Sequence, residues 1–362
     1  MPEVREDRVL EALRSVEDPD LHRDIVSLGF VKDVRIDGGR VAFRVELTTP
    51  ACPVKDLLRD QARAAVAAIP GVDDVSVEMS AQVRAQARVG PLIPGVKHVV
   101  AVASGKGGVG KSTVSVNLAV ALAQTGASVG VLDADIYGPS IPIMMGADEV
   151  PEVDGEQIVP VERYGVKLMS MGFFLEPDRA VVWRGPMIGK FLQQVLQDVL
   201  WGDLDYLVVD LPPGTGDAPM SLVQIIPLTG VVIVMTPQDV AQEIATKAIL
   251  MFRTLEQSIE RPVPILGIVE NMSGFVCPNC GEETDLFGTG GGERASMTLN
   301  VPFLGRIPID PSICVSGDAG RPAILMSPDS PQAAAFRRIA GAIAARASVV
   351  SHSEPGRETG ES

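Results

Sequence analysis

Apolar residues keep a helical spacing over Glu6 to Val16, then alternate through Phe30, Val34 and Ile36 up to Asp37-Gly38-Gly39. They alternate again through Val41, Phe43, Val45 and Leu47. This predicts a helix followed by a β-hairpin. A helix over Val54 to Ala68 and a strand carrying Val75, Val77 and Met79 complete a small α+β domain at residues 1–82. Residues 83–97 lose periodicity and contain Gly90, Pro91, Pro94 and Gly95, which break helices and strands, so they read as a linker. From His98 the pattern changes to near-continuous apolar runs: VVAVAS, SVGVLDAD, DYLVVDLP, GVVIVMTP, PILGIVEN and FLGRIP, separated by helical stretches. Strands buried on both faces read this way. Residues 98–347 are therefore expected to form a mostly parallel, doubly wound α/β sheet, with its chemistry at the carboxyl ends of the strands. Residues 348–362 run out in SHSEPGRETGES without apolar anchors and are expected to be a disordered tail.

The first of those strand ends carries Gly105-Lys106-Gly107-Gly108-Val109-Gly110-Lys111-Ser112, followed by Thr113 and a helix through Val116, Leu118, Ala119 and Leu122. This is GxxxxGK[ST] in its strand-to-helix setting, which makes the sheet that of a P-loop NTPase. The glycines let successive N–H groups aim inward, the helix start adds its positive end, Lys111 reaches the outer phosphates of a bound polyanion, and Ser112 can ligate Mg2+. Asp210 closes the strand YLVVD, where a carboxylate can hold the hydration shell of Mg2+ beside Ser112. Asp133 and Asp135 are alternate positions at another strand end and share a face if the strand continues. A turn or helix cap is the other reading of Asp133. In LPPGTGD, Gly214 and Gly216 give a segment able to rearrange when the γ-phosphate leaves, with Asp217 beside them.

Composition narrows the partners. Apolar residues make up 46%, charged residues 21% and aromatics 4% of the 362 positions, and the formal charge is -15. Such a field repels phosphate backbones and anionic head groups, so neither nucleic acid nor membrane is an expected partner. MPEVREDR lacks the apolar stretch of a secretory signal and no run approaches the ~20 apolar residues of a membrane helix, so a cytoplasmic protein is expected. The 4 cysteines make no disulfide framework. Cys277 and Cys280 of CPNC can bind one edge of a metal site, but two thiolates do not close one, and a two-fold dimer would supply four. A labile cluster, a redox disulfide and an inter-subunit zinc site all remain open on this spacing. Cys52 precedes a helix whose dipole would lower its thiol pKa, and Cys314, between Ile313 and Val315, reads as core.

Lys106, a second lysine at the loop's start, resembles the deviant P-loops of the MinD/ParA and nitrogenase iron protein superclass. That resemblance implies a nucleotide-sandwich homodimer in which Lys106 acts in trans on the partner's phosphates. It also implies that Asp135 orients the attacking water, Asp133 supports the Mg2+ shell, and Asn271 meets the adenine edge, with Pro308 and Asp310 as a second wall of that pocket. From about Lys97 to Ala345 the blocks GKGGVGKST, DADIYGPSIP, WRGPM, DLPPGTGD, ENMSGFVCPNC and FGTGGGE are similar to the Mrp/ApbC-type iron-sulfur cluster carrier ATPases. The resemblance implies ATP hydrolysis, a 4Fe-4S cluster bridged by Cys277 and Cys280, and transfer to apo iron-sulfur proteins in exchange with a cluster-assembly scaffold. The alternative is a MinD/ParA-like regulatory switch with a structural zinc site, but neither a basic patch nor an amphipathic membrane helix accompanies it. Asp18-Pro19-Asp20 and Thr49-Pro50-Ala51-Cys52-Pro53 resemble the SufT-like module of iron-sulfur assembly.

Overall fold

In the computed structural model of the chain, the alternation on either side of Gly38 becomes an antiparallel hairpin of β1 (Val31–Asp37) and β2 (Arg40–Leu47). Strand β2 turns Val41, Phe43, Val45 and Leu47 to one face. There they pack with Val9 and Leu13 of α1 (Glu6–Leu13) and Leu58, Ala62 and Val66 of α2 (Lys55–Ala67). β3 (Asp74–Ala81) lies parallel to β2, so α2 is the crossover that a parallel pair requires. The structure describes residues 4–83, 92–174, 185–259, 261–277, 280 and 282–352; at 185–188, 190, 191, 217 and 276 it describes the backbone alone. Trp183 and Arg184 of the WRGPM block, Pro278, Asn279 and the side chain of Asp217 thus lie outside the described residues.

By its contacts the chain forms two units, residues 1–84 with 344–362, and residues 85–343. In the second unit β4 (Val96–Ala103), β5 (Val129–Asp133), β6 (Val161–Arg163), β7 (Val166–Ser170), β8 (Leu204–Asp210), β9 (Gly230–Met235), β10 (Ile265–Val276), β11 (Glu283–Thr284) and β12 (Phe303–Ile309) form one sheet. Its order is β6-β7-β5-β8-β4-β9-β10-β11, with β12 also on β10, and every pair is parallel except β6 with β7 and β10 with β11. Helices α3 (Lys111–Gln124), α4 (Ile141–Met145), α5 (Gly185–Asp198), α6 (Asp217–Ile225), α7 (Asp239–Ile259) and α8 (Gly291–Leu299) lie between strands, and α9 (Pro311–Asp318), α10 (Ala323–Met326) and α11 (Pro331–His352) follow β12.

The sheet is the expected doubly wound one. From β4 the chain crosses β8's place to reach β5 and β7, then returns to β8 and continues to β9 on the other side of β4, so the winding reverses beside β4. Ligands gather at such a reversal. The register sets Asp210 level with Asp133 on one side and Val102 on the other, so the acidic strand ends meet beside the loop that leaves β4.

Two expected boundaries shift. Ile93 and Val96 are already core residues and β4 begins at Val96, while residues 84–91 of the expected linker lie outside the described residues. Helix α11 runs through His352, so Ser348 to His352, expected in the tail, are helical; Ser348 Oγ donates to Thr48 Oγ1 at 2.7 Å. The remainder of that tail lies outside the described residues.

Candidate functional site

The loop after β4 is shaped at two glycines. Gly108 and Gly110 have φ of 77° and 81°, the left-handed region that residues with a Cβ rarely enter, and Gly110 caps α3. A Cβ on Gly110 would stand 2.2 Å from Nδ2 of Asn271, whose amide donates to Val109 O at 2.8 Å. Asn271, buried on β10, therefore clasps the loop. On the other side Gly214 N donates to Ser104 O at 2.8 Å, which ties LPPGTGD to the loop's first residue.

Asp210, with 0% exposure, collects the hydroxyl and ammonium groups at the start of α3. Its Oδ2 accepts from Lys111 Nζ and Ser112 Oγ, each at 2.6 Å, and its Oδ1 from Ser115 Oγ at 2.6 Å. Lys111, itself 6% exposed, also lies 3.5 Å from Asp135. One ammonium thus faces two carboxylates. Burial pushes the Asp135 carboxyl above its ordinary value and Lys111 pulls it back; burial, then the charge of Asp210, pushes Asp133 up as well.

Asp133 spends its oxygens on the protein. Oδ2 accepts from Ser170 Oγ at 2.9 Å and Ile141 N at 3.2 Å, and Oδ1 from Asp135 N at 3.2 Å, which is the turn-and-cap arrangement that its sequence left open. Lys106 is half-buried and no ion pair of its ammonium occurs among the described residues. Ser115 and Ser170 escape a motif-based reading. The only signal for Ser115 is its place one helical turn past Lys111, on the face of α3 that meets β8.

Beside the loop opens a cavity of about 610 Å³, bounded by Gly110 and Thr113, by Asn271 and Met272, and by Pro308, Asp310 and Cys314. It brings together Asn271, Pro308 and Asp310, which the sequence had grouped. Asp310 also caps α9, accepting from Ser312 N at 2.7 Å. Cys314 departs from expectation. Its apolar neighbours suggested core, but α9 leaves it exposed at the cavity wall, with Asp318 Oδ2 3.8 Å from its sulfur.

Strand β10 does not stop at Asn271. Pairing with β12 shifts register between Asn271 and Phe275, and the strand continues to Val276, after which Cys277 N donates to Glu282 O at 2.9 Å and closes the cysteine loop. Cys277 is half-buried and Cys280 exposed, and among the described residues no group of three or more His, Cys, Asp or Glu is placed to hold a metal ion. Cys52 does not behave as the dipole argument predicts: burial, then Asp18 and Asp20, push its thiol up to about 11. It packs against the core of the first unit, where loss of water outweighs the helix dipole.

A family profile described as NUBPL iron-transfer P-loop NTPase matches residues 95–344, and one described as iron-sulfur cluster assembly protein matches residues 6–79. The iron-sulfur cluster carrier protein of Deinococcus radiodurans is 49% identical over 350 residues, covering 96% of this chain and 97% of its own. This chain belongs to the iron-sulfur cluster carrier family of P-loop NTPases. The carrier protein of Synechocystis is 46% identical, covering 95% of this chain and 98% of its own. A nucleotide-binding protein from Archaeoglobus fulgidus in complex with ADP is 43% identical with a TM-score of 0.55, covering 62% of this chain and 87% of its own. Carrier-family membership fits the nucleotide-type loop of β4, and no helix among the described residues is long and apolar enough to cross a membrane.

Proposed function

We propose that the chain is an ATP-hydrolysing carrier in which two copies hold a 4Fe-4S cluster between their Cys277 and Cys280 side chains and pass it to apo iron-sulfur proteins. One observation carries the reading: the strand whose Asn271 clasps the phosphate loop is the strand that runs on into Cys277. Nucleotide at one end and cargo at the other then share an element. The relative in complex with ADP supports nucleotide at the loop.

Backbone N–H groups of Gly105 to Thr113 receive the phosphates, and Lys111 neutralises the outer ones. Lys106, which engages no carboxylate among the described residues, reaches the phosphates bound by the other copy. Asp135, beside Lys111, orients the attacking water, and Asp133 stiffens that strand end from behind. Asn271, Pro308 and Asp310 frame the base. Ser112 Oγ and Asp210 Oδ2, 2.6 Å apart, are the hard oxygen donors that Mg2+ takes, so the residues fit that ion. When bound it neutralises charge that develops between the outer phosphates. Residues 85–343 are taken as the ATPase domain and 1–84 with the end of α11 as a SufT-like domain, in a cytoplasmic protein that also meets a cluster-assembly scaffold.

Anaerobic reconstitution with iron and sulfide tests the cargo. The full chain is expected to take up iron and sulfide with cysteine-dependent charge-transfer absorbance and to sediment as a dimer, while Cys277→Ala and Cys280→Ala stay colourless. Equal colour in the variants, a colourless wild type that retains zinc, or a loaded monomer would defeat the reading. A thiol map tests the nucleotide pocket separately. With iodoacetamide near pH 8, Cys314 is expected to react quickly, to be protected by MgATP, and to outpace Cys52, of which about one in a thousand is thiolate at that pH. Mass spectrometry that finds Cys314 equally labelled with and without nucleotide would place the base elsewhere.

A further inference from the structure

The segment between the nucleotide contact and the cysteine pair is built around a carboxylate that neither site uses. Glu270, on β10 immediately before Asn271, has 0% exposure. Its Oε1 accepts from Ser273 Oγ and, at 3.1 Å, from Gly290 N, and its Oε2 accepts from Gly292 N at 2.5 Å. Arg306 Nε stands 3.9 Å away but gives its closer contact, 2.7 Å, to Glu293. A carboxylate sealed from water is tolerated only when donors surround it. Here those donors are the first N–H groups of α8 and a hydroxyl on the arm that leads to Cys277.

Both sides of this junction are shaped for it. Between Asn271 and Phe275, β10 bulges out of register with β12, with Met272 at φ 57° and Gly274 at φ 74°. A methionine in that region is rare and persists where its surroundings hold it. The facing turn tolerates glycine alone: a Cβ on Gly291 would lie 2.2 Å from Pro237 O, and one on Gly292 would lie 3.0 Å from Glu270 Cβ and 2.9 Å from Phe303. The turn can close on the carboxylate because it has no side chains.

We propose that Glu270 is a positioning residue for the cargo: it ties the bulge to the glycine turn and so fixes where Cys277 emerges relative to Asn271 and the phosphate loop. This rests on the cluster-binding reading above. Without the carboxylate, Ser273 and the turn lose their common acceptor, and the bulge is free to shift while the strand that holds Asn271 keeps its ladder. Losing a group bonded directly to a metal ligand costs about 10–100-fold in retention; Glu270 acts one step further out, through the bulge, so the low end of that range is expected.

The test uses the full chain loaded anaerobically with iron and sulfide, and times release of iron to a ferrous chelator beside the KM for ATP. Glu270→Gln keeps the volume but supplies a donor where Gly292 N or Gly290 N needs an acceptor, and is expected to release iron about tenfold faster. Ser273→Ala, which leaves the buried carboxylate in place, is expected to change release in the same direction by less and so keeps the test alive if Glu270→Gln folds poorly. KM for ATP is expected to stay at the wild-type value in both. Wild-type release from both variants, with Cys277→Ala unable to load, would overturn the proposal and leave the cargo reading standing. A parallel loss of ATP affinity and of iron retention would reduce Glu270 to a general structural role and overturn it too. If Cys277→Ala loads as the wild type does, the cargo reading itself fails.

Discussion

Lys111→Ala is expected to lower ATP turnover by about 10²–10³-fold or more, the cost of removing one preorganised charge from a phosphoryl-transfer site. The expectation follows from its burial: at 6% exposure and 2.6 Å from Asp210, the ammonium has no solvent substitute. The same change leaves Asp133, Asp135 and Asp210 crowded together without their cation. Asp133 and Asp135 are already raised above the ordinary 3.8, so the folded state holds protons that the unfolded state has lost. Their contribution to stability is therefore greatest at low pH and declines as pH rises through the folded values. Removing the lysine should steepen that decline, so melting temperature should fall more sharply between mildly acidic and neutral pH than in the wild type. Unchanged turnover in a steady-state phosphate-release assay would show that the phosphate site is misplaced.

Asp210→Ala is expected to destabilise the fold by about 3–5 kcal/mol, because it strands a buried lysine rather than because it deletes an ion pair. The carboxylate accepts three bonds of 2.6 Å, from Lys111, Ser112 and Ser115, and Asp135 at 3.5 Å remains as the lysine's second partner. That residual partner favours the lower end of the range. Asp210→Asn, which keeps an acceptor oxygen, should lose less stability but still lose the carboxylate for Mg2+. Urea midpoints for the two variants measure the difference, and an alanine variant as stable as the wild type would mean that Lys111 has another route to solvent.

Periodicity made most of the fold legible. The hairpin around Gly38, the crossover α2 and the apolar strands of the large sheet follow from side-chain alternation or its absence, which is a local property. Fixed-spacing chemistry was equally visible: the phosphate loop and Asp210 meet because a parallel register sets their strand ends level. What stayed hidden depends on partners far along the chain. Ser115 matters only because α3 turns it toward Asp210, and Glu270 only because the glycine turn twenty residues on points its N–H groups back. Cys314 departs from the core expectation because apolar neighbours say nothing about which face of a short helix is covered, and Cys52 from the dipole expectation because burial of its thiol outweighs the dipole of α2.

The end of α11 belongs by its contacts to the first unit, with Ser348 bonded to Thr48. A stretch from far along the chain therefore finishes a domain whose other residues precede the large sheet. During synthesis that domain must wait, with part of its surface bare, until residues 344–352 have left the ribosome, and a fragment cut after residue 84 would never receive its missing piece.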